Sequence, residues 1–570
     1  MNNLEYLGDV IKTDVLVIGG GFAGLWAANR AKEKVGDVLI IEKGPAMGFA
    51  GQAFFSGGGI EAVPPGANPE DHVRDALYLG DGLYEQDLVE RIFRQSWARI
   101  EEFQDLGVQF IENEDGGLWS VPQRGLNHLF CYLVEPFMRG GQDMMRALSK
   151  KTHELGVRYM NRIFITDLLR DGDAVVGAVG FDTGKGLFCI IQAGAVIIAS
   201  GQCCLKGHYE DMAMSCGEGI EMGLRAGAEL KNMEFNTCWV IPKHFRWEGI
   251  AYLLPLGAQF VDAQGNTFID QYSPVLKSNI DYNFLVRFMA MEAEKGNGPF
   301  YLDCSRMTPE NKKRMEPDAG WSELQYKKLL KAGIRPFEEK QEWTASAHWL
   351  SGGLHSDLEM QTNVPGLFVA GKSRATDPGI YFGGWSLCQC AATGVWAGEN
   401  AASFALSNKG RIDAEEVKAF KKSLYAPLGQ SGPGPDQVLL EVQKAVFPYP
   451  VLVLKNESRL KEALDTVETI NHDMAPRMSA KDARELMRLR ETTSISRLIE
   501  VFLKASLMRN ETRASHYRED FPERHDQDWL KWIFVTQKEG DLDLRVEPLP
   551  LDKYKFKVDR FYSDNFQSGR

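Results

Sequence analysis

No stretch of the sequence approaches the ~18 consecutive apolar residues that a membrane-crossing helix needs, which excludes a helical membrane span. Cysteine is sparse. The nine cysteines never fall into the repeated C-x-x-C spacing of an iron–sulfur cluster or a structural zinc, so the chain is expected to bind no metal of its own. Basic charge is short as well: 65 Lys and Arg against 78 Asp and Glu leave a formal net charge of −13, which repels nucleic acid and anionic lipid. Residues 1–15 hold neither a basic start followed by an apolar core nor a twin-arginine pair, and a cytoplasmic location is expected. Cys203-Cys204 and Cys388-Gln-Cys390 sit in uncharged flanks that do nothing to lower a thiol pKa, so they read as core residues rather than redox pairs.

What is present begins near the N-terminus. Asp14 to Ile18 is a β-branched run, Gly19-Gly-Gly21-Phe-Ala-Gly24 follows, and Leu25 to Ala31 reads as a helix. In such a strand–turn–helix unit Gly19 makes the turn, Gly21 lets the backbone approach a pyrophosphate, and Gly24 lets helix pack on strand. A second buried strand, Val38 to Ile41, ends in Glu42, 18 residues after Gly24, where a carboxylate accepts hydrogen bonds from a ribose. A Gly-rich turn in some other α/β unit would not explain that acid. The chain therefore reads as a dinucleotide-binding α/β protein.

Two further apolar strands, Ala195 to Gly201 and Val364 to Gly371, end in glycine far from the first, so long insertions interrupt the nucleotide fold. The expected division is a Rossmann-like domain from 1–235 and 346–410, a cap domain from 236–345 with a Lys/Glu-rich helical section from about 308 to 345, a helical domain from 411–510, and a C-terminal segment from 511–570. In the helical domain Leu486, Leu489, Leu498 and Phe502 recur at amphipathic spacing.

With these residues in view, the chain resembles the flavoprotein subunits of succinate dehydrogenase and fumarate reductase, and in its latter half the α subunit of adenylylsulfate reductase. Beyond the fingerprint and Glu42, the resemblance rests on Ser56-Gly-Gly-Gly59, Gly217 to Gly227, Asn232-Met-Glu-Phe235, Val364 to Gly371 and Phe382-Gly-Gly-Trp-Ser386, with Glu511-Thr-Arg513 and His516 to Pro522 at the far end. It implies FAD, a cap over the isoalloxazine, and a hetero-oligomer with an iron–sulfur partner subunit in anaerobic electron transfer. The segment Gly51 to Ser56 has no histidine to attach the flavin, so non-covalent FAD is expected. The implied cofactor-binding set is Gly19, Gly21, Gly24, Glu42, Lys43, Ser56, Gly57, Gly58, Gly201, Gly371, Ser386 and Leu387.

The same resemblance points to a small anionic substrate. Its charge would be held by His348, in Ala347-His-Trp-Leu-Ser-Gly-Gly353, and by Arg374 or Arg246. Tyr381 or Tyr282 would donate a proton, since each stands where dicarboxylate members place an arginine. The Pro-His-Lys-Phe of adenylylsulfate reductase reads Pro378-Gly-Ile-Tyr-Phe382. Lys243, His244 and Arg246 form a basic cluster suited to an anion, and Lys372 stands where the family carries an acid. The activity expected is two-electron exchange between flavin and that substrate; a relay subunit with no substrate of its own is the alternative.

Overall fold

The computed structural model describes residues 4–49, 51–135, 139–207, 214–245, 253–254, 256–313, 323–380, 382–408 and 410–567, without the side chains of 323–325, 347 and 348. At its centre lies a seven-stranded sheet. The strand Asp9–Ile18 pairs in parallel with Val38–Glu42 on one side and Phe188–Ile198 on the other; Arg158–Asn161 extends the first side in parallel and Leu367–Val369 the second. Ile18 is registered with both Ile41 and Ile198, and Ile198 with Val369, so these strands end in one row. Val15–Ile18, Val38–Ile41, Ala195–Ile198 and Leu367–Val369 are buried apolar runs, as a parallel sheet covered on both faces requires. The antiparallel strands Ile163–Asp171 and Ala174–Asp182 complete the sheet. An α/β sheet of this order places its ligand crevice beyond the carboxyl ends of the strands.

The segment expected as a cap contributes to a five-stranded sheet in which Asn236–Pro242 lies antiparallel to Gln341–Leu350 and which Cys203–Cys204 joins. The expected helical run to about 345 stops early. Helices cover Pro309–Lys313 and Glu323–Lys331, and from Gln341 the chain is strand, because every residue from Trp343 to Ala347 finds a ladder partner on Asn236–Pro242. The helical part holds Ala414–Tyr425, Pro435–Val446, Glu457–Thr469 and the long helix Ala483–Met508. Leu486, Leu489, Leu498 and Phe502 are all buried, but so are Glu491, Thr492, Ser496 and Glu500, so this helix is central rather than amphipathic.

The C-terminal segment forms a hairpin, Lys531–Lys538 and Asp541–Pro548, that joins Leu230–Lys231 and Gly353–Leu354 in a four-stranded sheet. Its charged approach is not solvated. Arg509, Glu511, Arg513, His516 and Arg518 are buried, with Arg509 paired to Glu234 and Glu511 (2.8 and 2.9 Å), and Arg513 to Glu511 (2.7 Å). The nine cysteines form no disulfide and are buried, and burial pushes the Cys388 thiol well above its ordinary range and Cys390 up to about 11. Among the described residues no helix is long and apolar enough to cross a membrane, and no three His, Cys, Asp or Glu side chains gather as a metal site.

Candidate active site

A cavity of about 1620 Å³ opens at the carboxyl ends of the parallel strands and runs to the cap. That exceeds the ~300–1,000 Å³ of a typical ligand pocket, leaving room for a large cofactor and a second molecule.

The three fingerprint glycines answer to different demands. Gly19 has φ +110°, and a Cβ there would lie 2.5 Å from the Ala199 carbonyl oxygen. A Cβ on Gly24 would lie 1.9 Å from the Gly19 oxygen, so helix and strand touch there. Gly21 has φ −76°, which any residue adopts, and the nearest heavy atom to its Cβ would be the Gly51 Cα at 3.9 Å. Nothing in the protein demands glycine at 21, yet it lines the cavity, so the space is shaped for a ligand to approach the backbone. Gly21 also precedes the helix Phe22–Lys32, whose first turn has no side-chain cap and faces the same space with its positive end. Glu42 Oε2 accepts from Gly20 N–H (2.8 Å) and Oε1 from Gly44 N–H (2.6 Å), which fixes the carboxylate at the cavity wall. Ser200 Oγ and Gln202 Oε1, also in the wall, are buried with no hydrogen-bond partner among the described residues.

Lys43 does not face the cavity as a lone cation. Its amine pairs with Glu218 and, at 2.6 Å, with Glu491 of the long helix, which also holds Lys206 at 2.6 Å. Burial alone would lower the Lys43 pKa, but Glu218 and Glu491 override it and hold the ammonium well above its ordinary range. Met487 and Arg488 of the same helix line the cavity, so the helical part closes the nucleotide end.

Midway, Ser56 and Gly57 line the cavity, and the Ser56 hydroxyl donates to the Ala53 carbonyl (2.8 Å). Ser386 and Leu387 enter it from the first turn of the helix Trp385–Ala405, again without a side-chain cap, and Gly201 lines it too. Gly24, Gly58 and Gly371 stand behind this wall as tight packing positions. Lys372 lines the cavity and pairs with Asp377 at 2.5 Å.

At the cap end the wall changes character. Tyr282 opens the helix Tyr282–Glu294, and its ring lies 5.0 Å from that of Trp239, which lies 5.9 Å from Trp349. The Arg124 guanidinium sits 4.1 Å over the Tyr282 ring and donates to the Ile280 carbonyl (2.8 Å). Gln123 donates to the Gly383 carbonyl (3.0 Å) and accepts from Gly383 N–H (2.8 Å), pinning the Gly383–Gly384 turn at the cavity edge. Sequence reasoning missed Gln123, Arg124 and Trp239, which belong to no motif, and passed over Trp349 inside the stretch Ala347 to Gly353 in favour of His348.

The remaining candidates fall elsewhere. Arg374 does not line the cavity: its guanidinium is fully buried against Ser356 Oγ (2.8 Å) and Glu85 (3.2 Å). Burial would raise the Glu85 carboxyl, but Lys231 and Arg374 hold it down at about 2, a structural ion cluster. Lys243 and His244 are exposed and both bind Glu342 (2.6 and 3.1 Å). Tyr381, Arg246 and the His348 side chain lie outside the described residues; the His348 backbone belongs to the strand Gln341–Leu350, beside Trp349.

The family model described as FAD binding domain matches residues 14–384, and that described as fumarate reductase flavoprotein C-term matches 442–561. One relative, from the fumarate reductase (CoM/CoB) of Methanothermobacter marburgensis, is 25% identical, the match covering 93% of this chain and 98% of the relative. In fold, the chain matches E. coli quinol fumarate reductase with a TM-score of 0.85 (20% identity, 95% of this chain and 97% of that one) and adenylylsulfate reductase of Archaeoglobus fulgidus with 0.80 (22%, 96% and 97%). The residues present fit FAD: the unexplained room at Gly21, the Glu42 carboxylate, the unpartnered Ser200 and Gln202 oxygens and two uncapped helix N-termini all meet one cavity. When bound, FAD supplies two-electron exchange with an organic substrate and one-electron exchange with a redox partner.

Proposed function

The chain belongs to the FAD-binding flavoproteins of the fumarate reductase and succinate dehydrogenase family and is an FAD-dependent oxidoreductase, and from this premise we propose that it reduces or forms the activated C=C bond of a small organic anion held at the cap end of its cavity. A separate iron–sulfur subunit would then exchange electrons with it. The observation that carries this reading is the continuity of one cavity from Gly21 and Glu42 to Trp239 and Tyr282. A relay subunit without a substrate would have that end filled.

The chain's own residues then have three tasks. Arg124, stacked on Tyr282, neutralises the anionic group. Trp239, Trp349 and the Gln123-pinned Gly383–Gly384 turn exclude water and fix the ligand's plane. The Tyr282 hydroxyl holds the proton to be delivered to carbon, with Tyr381 as the second candidate donor and His348, next to Trp349 in the chain, as a further charge ligand. The scattered cysteines support an iron–sulfur partner, because one-electron traffic then needs clusters from another chain.

The test is anaerobic. FAD-loaded protein is reduced with dithionite and mixed separately with fumarate, crotonate, cinnamate and adenylylsulfate while flavin absorbance is followed. Saturable reoxidation by an unsaturated acid is expected; a flavin that stays reduced with all four would refute the reading.

A further inference from the structure

We propose that the cap end selects an unsaturated monocarboxylate with a flat, ring-bearing apolar body, rather than a four-carbon dicarboxylate. This rests on the reading that the cap end is a substrate chamber. Two observations carry it: the shape of the wall and the placement of charge.

The described wall is mainly aromatic and aliphatic, with Gln123, Ser278 and Asn279 as polar members. Trp119, Trp239, Trp349 and Tyr282 face the cavity together with Leu254 and Leu276. The Trp239 and Tyr282 rings are tilted by 38°, and those of Trp239 and Trp349 meet at 61°, which makes an angled wall of ring faces and edges. A planar conjugated ring packs on such a wall by offset and edge contacts that a C4 acid does not make.

Charge at this end comes from Arg124. One N–H is spent on Ile280, and no ion pair within 4.0 Å engages the guanidinium among the described residues, so the rest of the fork is left for a ligand. Asp281 feels the Arg124 charge, but burial outweighs it and raises that carboxyl, whose Oδ1 already accepts from Asn283 N–H (2.8 Å). Among the described residues, the other cations that sequence offers near the site are matched to acids of the chain itself: Lys372 to Asp377, Arg374 to Glu85, and Lys243 and His244 to Glu342. Among the described residues, Arg124 thus supplies charge for one carboxylate.

The experiment is equilibrium binding to oxidised, FAD-loaded protein, read by perturbation of the flavin spectrum and by quenching of tryptophan fluorescence, with cinnamate, crotonate and fumarate as probes. Cinnamate should bind at least roughly tenfold more tightly than either C4 acid. Trp239→Leu should weaken cinnamate roughly tenfold while leaving crotonate within about threefold; Trp239→Phe should restore most of the loss. Arg124→Gln should weaken cinnamate and crotonate alike. Retained FAD content in each variant shows that the fold is intact. Fumarate binding as tightly as cinnamate, or a Trp239→Leu loss equal for both monocarboxylates, overturns the inference and leaves the substrate chamber standing. If none of the three acids binds, the chamber reading falls, and the inference with it.

Discussion

At the scale of single residues, the fingerprint glycines separate fold from function. Gly24 is required by a backbone oxygen that would lie 1.9 Å from its Cβ, whereas Gly21 is required by nothing in the chain. Gly24→Ala should therefore destabilise the protein with or without cofactor by about 1–3 kcal/mol, the usual cost of overpacking. Gly21→Ala should leave the melting temperature of the apoprotein unchanged and weaken FAD binding at least roughly tenfold, because its methyl enters only the cavity. Thermal melts and flavin-fluorescence titrations of both variants check this; a Gly21→Ala protein that retains FAD would show that the room there serves something else. These glycines and Glu42 were legible in the sequence because their roles are local: a positive φ, a close contact and an acid at a strand end leave marks within thirty residues. Arg124 was not legible, because its meaning depends on Tyr282, which sequence places 158 positions away and the fold brings to 4.1 Å.

At the scale of elements, the long helix Ala483–Met508 does more than pack. It sends Glu491 into the ion-pair group with Lys43 and Lys206, and Met487 and Arg488 into the cavity wall. Glu491→Gln leaves two buried ammonium groups short of a counter-charge. A loss on the order of 3 kcal/mol is expected for breaking such a group from one side. FAD affinity and protease resistance of the helical part should fall together, since the same side chain joins both. Titration with FAD and timed proteolysis measure the pair; an affinity loss with unchanged proteolysis would separate the helix from the nucleotide end. The sequence marked this helix by its leucine spacing but could not reveal that its polar residues are buried too, because their partners come from the sheet domain. The same holds for the strand from Gln341, whose charged surroundings read as helix until its ladder to Asn236–Pro242 is seen.

At the scale of the whole molecule, the charged run near the C-terminus is the joint between the parts. Lys455 is wholly buried at the end of the helical part's approach to it, donates to Asn236 Oδ1 (3.1 Å) and lies 3.3 Å from His516 Nδ1. Burial lowers its amine to about 7; Cys238 and Glu234 oppose the shift, while Arg287 and Arg518 add to it. A depressed pKa means that the unfolded chain, near 10.4, binds the proton the folded chain has lost. Stability should therefore rise with pH between about 7 and 10 and fall as pH drops towards 7, and Lys455→Met should remove that slope. Chemical denaturation across this window tests it; an unchanged slope in the variant would place the proton elsewhere. The C-terminal residues also brace the cap: Phe566 stacks on Phe284 at 4.1 Å, and the Tyr562 hydroxyl accepts from Asp281 N–H (3.1 Å), one residue before Tyr282. That support was invisible in the sequence, where the tail shows only polar and aromatic composition.

The central claim is that a substrate anion sits under the cap against Arg124, next to bound FAD. The most direct measurement is the rate at which anaerobically reduced, FAD-loaded protein is reoxidised by cinnamate as its concentration is raised, in the wild type and in Arg124→Gln. The account predicts a hyperbolic dependence in the wild type and, in the variant, a half-saturating concentration raised at least roughly tenfold, in line with loss of a charge-assisted contact. Reoxidation at the same rate and the same half-saturation in both proteins would contradict it.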